Sequence, residues 1–295
     1  MARHDNFRGI LLMLLAVLLL SCMDAGLKQM SAHYPPFQVS ALRGAASLPL
    51  VIAWVLWTVG GRALLRVRWR LQMVRGLIGI ATLPAFVYGL RFLPLTTAYT
   101  LFFVAPLLIT AMSAAFLGEK VGPQRWAAIL AGFVGVLVAL RPTGEGALTW
   151  AGLAVIAAAA GYATAAVMVR ALSRTDSTQS MMFWMVVSMT FGSAALAAPG
   201  WVAVDSGDWL LIAAIGIVGA LGQWALTEAF VRGEASVVSP FEYSALAWGV
   251  GFDLAVWGVL PDSITWIGAA IIVSAGIYLM RREREAQHPE AQLQP

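Results

Sequence analysis

Glu242 is the residue of this chain best placed to do chemistry. Its carboxyl stands well inside an apolar stretch, beside Tyr243 and two residues after Pro240. Proline removes a backbone donor and can open a carbonyl toward a cavity, so a glutamate there can accept an ammonium group or a proton. Asp24, Lys28 and Arg43 are further charges inside apolar stretches. A lone ionised group in hydrocarbon costs about 2.5 kcal/mol or more, so each needs a partner or a water-lined space. Asp24 and Lys28 lie four apart on one helical face. Their simplest role is a mutually neutralising pair, with Arg43 competing for Asp24, so that the three serve as a polar gate or as packing polarity. A clamp for a zwitterion is the sharper reading.

Tyr99, Gln223, Tyr243 and Trp248 add aromatic and polar groups within the same kind of stretch. They can stack on a planar ligand or hold a cation over a ring, although aromatic side chains also fill helix interfaces. Glu228 and Arg232, four apart, read as a local helical salt bridge. Asp253 lies nearer a stretch end, as a gate group or a solvated one. Cys22 is the only cysteine, which excludes an internal disulfide and a multi-thiolate metal site, and the histidines at 4, 33 and 288 have no metal-ligand spacing. No nucleotide loop and no Ser-Lys or His-Asp arrangement with supporting context occurs. The chain therefore predicts no catalytic residue, no metal and no cofactor.

The elements that carry these residues are apolar helices. Hydrophobic residues make up 60% of the chain and charged residues 12%, against about 25% charged in soluble domains. Crossing a hydrocarbon core about 30 Å thick takes roughly 20 helical residues. Ten spans are expected, near 9–30, 37–60, 76–91, 96–117, 126–141, 150–169, 180–198, 209–230, 235–258 and 264–280. The N-terminal apolar stretch is read as a retained first span rather than a cleaved leader.

Of the 19 Lys and Arg, all but Lys28, Arg43, Arg91 and Arg141 fall on one side of these spans. The positive-inside rule then puts both termini in the cytoplasm. The net charge of +4 is spread over short loops and chain ends, where it meets lipid headgroups and gives no reason to expect nucleic acid as a partner.

Residues 118–141 align with residues 258–281, matching Trp126 to Trp266 and Arg141 to Arg281. The alignment divides the chain into five-span halves, 1–143 and 144–281, followed by a cytoplasmic tail, 282–295. Five is odd, so the halves run antiparallel across the membrane, the inverted-repeat arrangement of many secondary transporters. The expected fold class is therefore all-α and polytopic, with ten transmembrane helices in two inverted five-helix repeats.

Several motifs in these halves resemble one family. They are Pro106 in the fourth span, its ending Leu117-Gly118-Glu119-Lys120, Trp126 with Gly132-x-x-Gly135-Val136 in the fifth, and the run from Ala235 to Tyr243 in the ninth. Gly268, Ile272 and Gly276 fit the closing helix. With these the chain resembles the drug/metabolite transporter superfamily, in its EamA-type ten-helix group, and is most similar to bacterial exporters of aromatic and other amino acids. It departs from the pattern at Val259, where the usual glutamate is missing.

The resemblance implies movement of small metabolites through a central cavity without ATP hydrolysis. It raises Tyr99, Gln223, Glu242, Tyr243 and Trp248 as substrate-binding residues and Glu119 as a structural lock. The expected partners are a small-molecule substrate, an amino acid, and membrane lipid, with proton coupling compatible with Glu242. A membrane scaffold or receptor without substrate flux is the alternative.

Overall fold

The computed structural model describes residues 6–65, 67–117, 122–140, 149–172, 175–232 and 239–287. Among the described residues eleven α-helices account for the ten spans. These are α1 (Asn6–Ser31), α2 (Pro36–Thr58), α3 (Trp69–Phe92), α4 (Leu95–Phe102), α5 (Ala105–Leu117), α6 (Pro123–Leu140), α7 (Trp150–Leu172), α8 (Thr178–Ala197), α9 (Trp209–Arg232), α10 (Ala245–Trp257) and α11 (Ser263–Gln287). Among the described residues seven segments are long and apolar enough to cross a membrane, and Trp126–Ala139 and Ser263–Tyr278 are shorter apolar helices. The third span is longer than expected, because α3 begins at Trp69 among the polar residues that precede the apolar run.

The fourth and ninth spans are interrupted. The fourth is α4 followed by α5, with the break at Phe103 and Val104. Pro106 cannot donate to the Phe102 carbonyl one turn earlier, so the helical ladder is cut there. The ninth begins as a 3-10 turn, Ser239–Ser244, containing Pro240, and continues as α10. Gly258, at φ +65°, ends α10 in the left-handed region, which lets its N–H and that of Val259 bond back to Leu254 and Asp253 carbonyls.

Helix pairing carries the repeat. The first span packs on the eighth and the third on the sixth, while the second packs on the seventh, the fourth on the ninth and the fifth on the tenth. Exchanging each span for the one five later turns the first of these pairs into the second and leaves the other three unchanged. That is the contact pattern of two inverted halves.

Close backbone approach makes the fifth and tenth spans fit. A Cβ on Gly268 would stand 3.0 Å from the Gly135 carbonyl oxygen and 3.1 Å from the Ala139 nitrogen. Both neighbours are backbone, so neither yields cheaply. Gly268→Val is expected to destabilise the detergent-purified protein by about 1–3 kcal/mol, read as a lower thermal midpoint. An unchanged midpoint would show that α6 and α11 are free to separate.

Polar side chains inside the spans are largely satisfied locally. Ser40, Ser47, Thr82, Thr100, Thr164, Thr190 and Thr227 each donate to the carbonyl four residues earlier. This removes hydroxyl donors from hydrocarbon without a partner helix. The two ends of the bundle are tied differently. At the end away from the termini, Tyr34 donates to Asp208 at 2.6 Å, and Gln38 exchanges two bonds with the Val202 backbone. At the terminal end, Asp176 accepts from Gln72 and from the Arg68 N–H. Under the same exchange of spans the loop between spans one and two becomes the loop between six and seven, so these fastenings are counterparts.

Candidate functional site

The site begins where α4 begins. Pro94 precedes the helix and has no side chain able to cap it, which leaves the Leu95 and Thr96 N–H groups without acceptors of their own. Asp253 of α10 supplies them across the bundle. Its Oδ1 accepts from Leu95 N at 2.9 Å, and its Oδ2 accepts from Thr96 N at 2.8 Å and Thr96 Oγ1 at 2.9 Å. Asp253 is fully buried. Lys28 completes the cluster: its Nζ lies 3.7 Å from Asp253 Oδ1, donates to the Leu93 carbonyl at 2.7 Å and sits 4.6 Å above the Trp257 ring. The first, fourth and ninth spans are thereby clamped at the end away from the termini.

This geometry corrects the local pairing expected from spacing. Lys28 pairs with Asp253 on the ninth span rather than with Asp24 on its own helix. Asp253 is buried and fully bonded rather than solvated. Asp24 instead accepts from the Tyr99 hydroxyl at 3.0 Å, one turn further along α4 than Thr96. Arg43 interacts electrostatically with Asp24 but does not close on it. The guanidinium donates to two thioether sulfurs, Met23 Sδ at 3.2 Å and Met189 Sδ at 3.6 Å.

An aromatic wall continues from Tyr99. Phe102, three residues on and so on the same face of α4, stacks edge-on against Phe86 at 5.2 Å and lies 5.5 Å from Tyr162 of α7. Tyr162 is 46% exposed. Glu242 lies within electrostatic reach of Tyr162 and Tyr243, and Tyr243 packs edge-on against Phe103 at 4.8 Å. One carboxylate, Asp24, therefore lies at one end of the wall and another, Glu242, at the other. Such an arrangement can hold the charged and planar parts of a small organic molecule at once.

The sequence pattern of the EamA-like transporter family matches residues 7–141 and again residues 149–282. The chain belongs to that family. It is a secondary transporter of small metabolites, not an enzyme.

Curated relatives of this EamA-like transporter span nearly its whole length. The riboflavin transporter of Vibrio cholerae is 30% identical over 98% of both chains. The pseudopaline exporter CntI of Pseudomonas aeruginosa is 29% identical over 94% of this chain and 97% of that one. The S-adenosylmethionine uptake transporter of Rickettsia bellii is 27% identical over 94% and 95%. A solved crystal structure superposes with a TM-score of 0.65 over 95% of this chain and 99% of that chain at 22% identity, a likeness of fold alone.

Of the residues expected to bind substrate in the transporter, Tyr99, Glu242 and Tyr243 border the wall just described. Gln223 is half-buried on α9, and Trp248 is 38% exposed on the side of α10 turned away from Asp253. Among the described residues neither makes a hydrogen bond or ring stack with Asp24 or Tyr99. Glu119 lies outside the described residues. Glu228 and Arg232 form the expected local pair at 2.9 Å. Among the described residues no group of three or more His, Cys, Asp or Glu converges as metal ligands. The clamp around Asp253 was not anticipated. Its signal in the sequence is the Pro94-Leu95-Thr96 start, a helix with no capping side chain of its own.

Proposed function

We propose that this transporter moves small amphipathic metabolites, amino acids including aromatic ones, across the bacterial inner membrane by alternating access, with export the favoured direction. The observation that carries the reading is the convergence of Asp24, Arg43 and Tyr99 from three spans beside an aromatic wall, next to the Lys28–Asp253 clamp. Opposite charges set beside aromatic rings suit a molecule with both an ionic head and a planar body. The names of the relatives support small organic cargoes in general, riboflavin, pseudopaline and S-adenosylmethionine among them. Amino acids and export rest on the motif resemblance, and both termini in the cytoplasm on the distribution of Lys and Arg.

In the proposed cycle the two halves rock so that the site meets one compartment and then the other, with Pro106 and Pro240 at the interrupted spans as hinge points. Glu242 accepts the proton that drives the change. The test is flux of labelled amino acids into proteoliposomes, with and without a pH gradient. Glu242→Gln is expected to lower gradient-driven flux by about tenfold, about 1.4 kcal/mol, while the protein remains folded by size-exclusion chromatography. Wild-type affinity, flux and pH response in that variant would remove Glu242 from the mechanism. The absence of amino-acid flux in the wild type would remove the substrate class.

A further inference from the structure

Arg43 is a charge that the fold leaves without an oxygen partner among the described residues. A guanidinium presents donors in a planar fork suited to carboxylate oxygens. Here the bonds it makes among the described residues go to the thioethers of Met23 and Met189, which are weak acceptors. Asp24 is close enough for electrostatic interaction, yet the two groups stay apart. A purely structural ion pair would be expected to close, as Glu228 and Arg232 do at 2.9 Å. Asp24 for its part has one oxygen, Oδ2, occupied by the Tyr99 hydroxyl, and its Oδ1 takes no bond from the described residues. Both side chains lie in the half of their spans away from the termini, and both are half-buried. A carboxylate with one oxygen unbonded and a nearby guanidinium that meets only sulfur are together complementary to a molecule carrying an ammonium and a carboxylate on one carbon.

We propose that Asp24 and Arg43 form the head-group subsite of this transporter, Asp24 receiving the α-ammonium and Arg43 the α-carboxylate of a free amino acid. The assignment rests on the carrier reading above and names the part of the substrate that must be present. Tyr99 is the positioning residue, because its hydroxyl fixes one oxygen of Asp24 and leaves the other to the ligand. The aromatic wall beyond Phe102 then receives the side chain, so the subsite selects the head group and tolerates variation in the body. Met23 and Met189 keep the guanidinium in place between substrates without competing for it as an oxygen acceptor would.

The experiment is competition against labelled phenylalanine in proteoliposomes. The competitors are unlabelled phenylalanine, phenethylamine, which lacks the carboxylate, and 3-phenylpropionate, which lacks the ammonium. In the wild type both truncated analogues are expected to compete about a hundredfold less well than phenylalanine, since a site built to bond a group rejects a ligand without it. Arg43→Gln should bring phenylalanine down to the level of phenethylamine, and Asp24→Asn should bring it down to the level of 3-phenylpropionate. Arg43→Lys, which keeps the charge, should retain part of the preference and serves as the control for folding. Analogues that compete as well as phenylalanine in the wild type would overturn the head-group assignment while leaving the carrier intact. So would an Arg43→Gln variant that weakens all three competitors equally. A wild type that carries riboflavin but no amino acid would overturn the assignment together with the substrate class.

Discussion

Asp253→Ala is expected to lower the thermal midpoint of the detergent-purified transporter by about 6 °C, taking a loss of about 3 kcal/mol and about 2 °C per kcal/mol for a chain of this size. Three donors lose their acceptor at once, and Lys28 is left as a charge without its partner. Hydrogen bonds between membrane helices average only about 0.6 kcal/mol each, so the orphaned lysine carries much of the effect. The same change should unseal the end of the bundle away from the termini. Leu93, whose carbonyl Lys28 holds, is nearly buried. In a Cys22→Ser background, Leu93→Cys should therefore react slowly with a membrane-impermeant thiol reagent, and several-fold faster once Asp253→Ala is added. Asp253→Asn keeps a carbonyl acceptor for the α4 start but loses the charge, and should fall between. Wild-type stability and labelling in Asp253→Ala would show that the cluster closes nothing.

Gly249→Val should reach the substrate site through the same contact. A Cβ at Gly249 would lie 2.9 Å from the Tyr99 ring and 3.3 Å from the Thr96 nitrogen. The branched side chain must push α10 off α4, which draws the Asp253 carboxylate away from the α4 start and moves Tyr99 off Asp24. Overpacking of this kind destabilises by about 1–3 kcal/mol. Amino-acid flux should fall by about tenfold or more, because the site and the closed end are disturbed together. Both substitutions act on one interface, so their stability losses should combine to less than their sum, by about 1 kcal/mol. Strict additivity would mean that Gly249 and Asp253 hold α4 independently. Tyr99→Phe provides the contrast, removing one hydrogen bond to Asp24 while leaving the helix contact in place.

How much of this was legible beforehand varies with the range of the interaction. Glu228–Arg232 was readable because both partners sit on one helix, four residues apart. Proline alone did not decide the interruptions: Pro106 and Pro240 stand at the breaks of the fourth and ninth spans, while Pro49 and Pro84 sit inside unbroken helices. Lys28 was misread for the complementary reason. Spacing offered Asp24 as its neighbour, while the carboxylate it meets lies on the ninth span. Tyr162 and Phe102 carried no mark to separate them from aromatics that merely fill interfaces, and their place beside the site follows from how α4 turns against α7. Trp248 looked equivalent to Tyr99 in sequence and lies on the opposite side of α10 from the clamp.

The sequence by itself determined that ten apolar segments cross a bilayer and that two five-span halves run in opposite directions. Both follow from the length and hydropathy of each segment and from an odd count, which need no knowledge of contacts. Only the tertiary structure decided which charge meets which: Lys28 with Asp253, Asp24 with Tyr99, and Arg43 left with two sulfurs. Partner choice between helices depends on the rotation and depth of each one, and a one-dimensional pattern records neither.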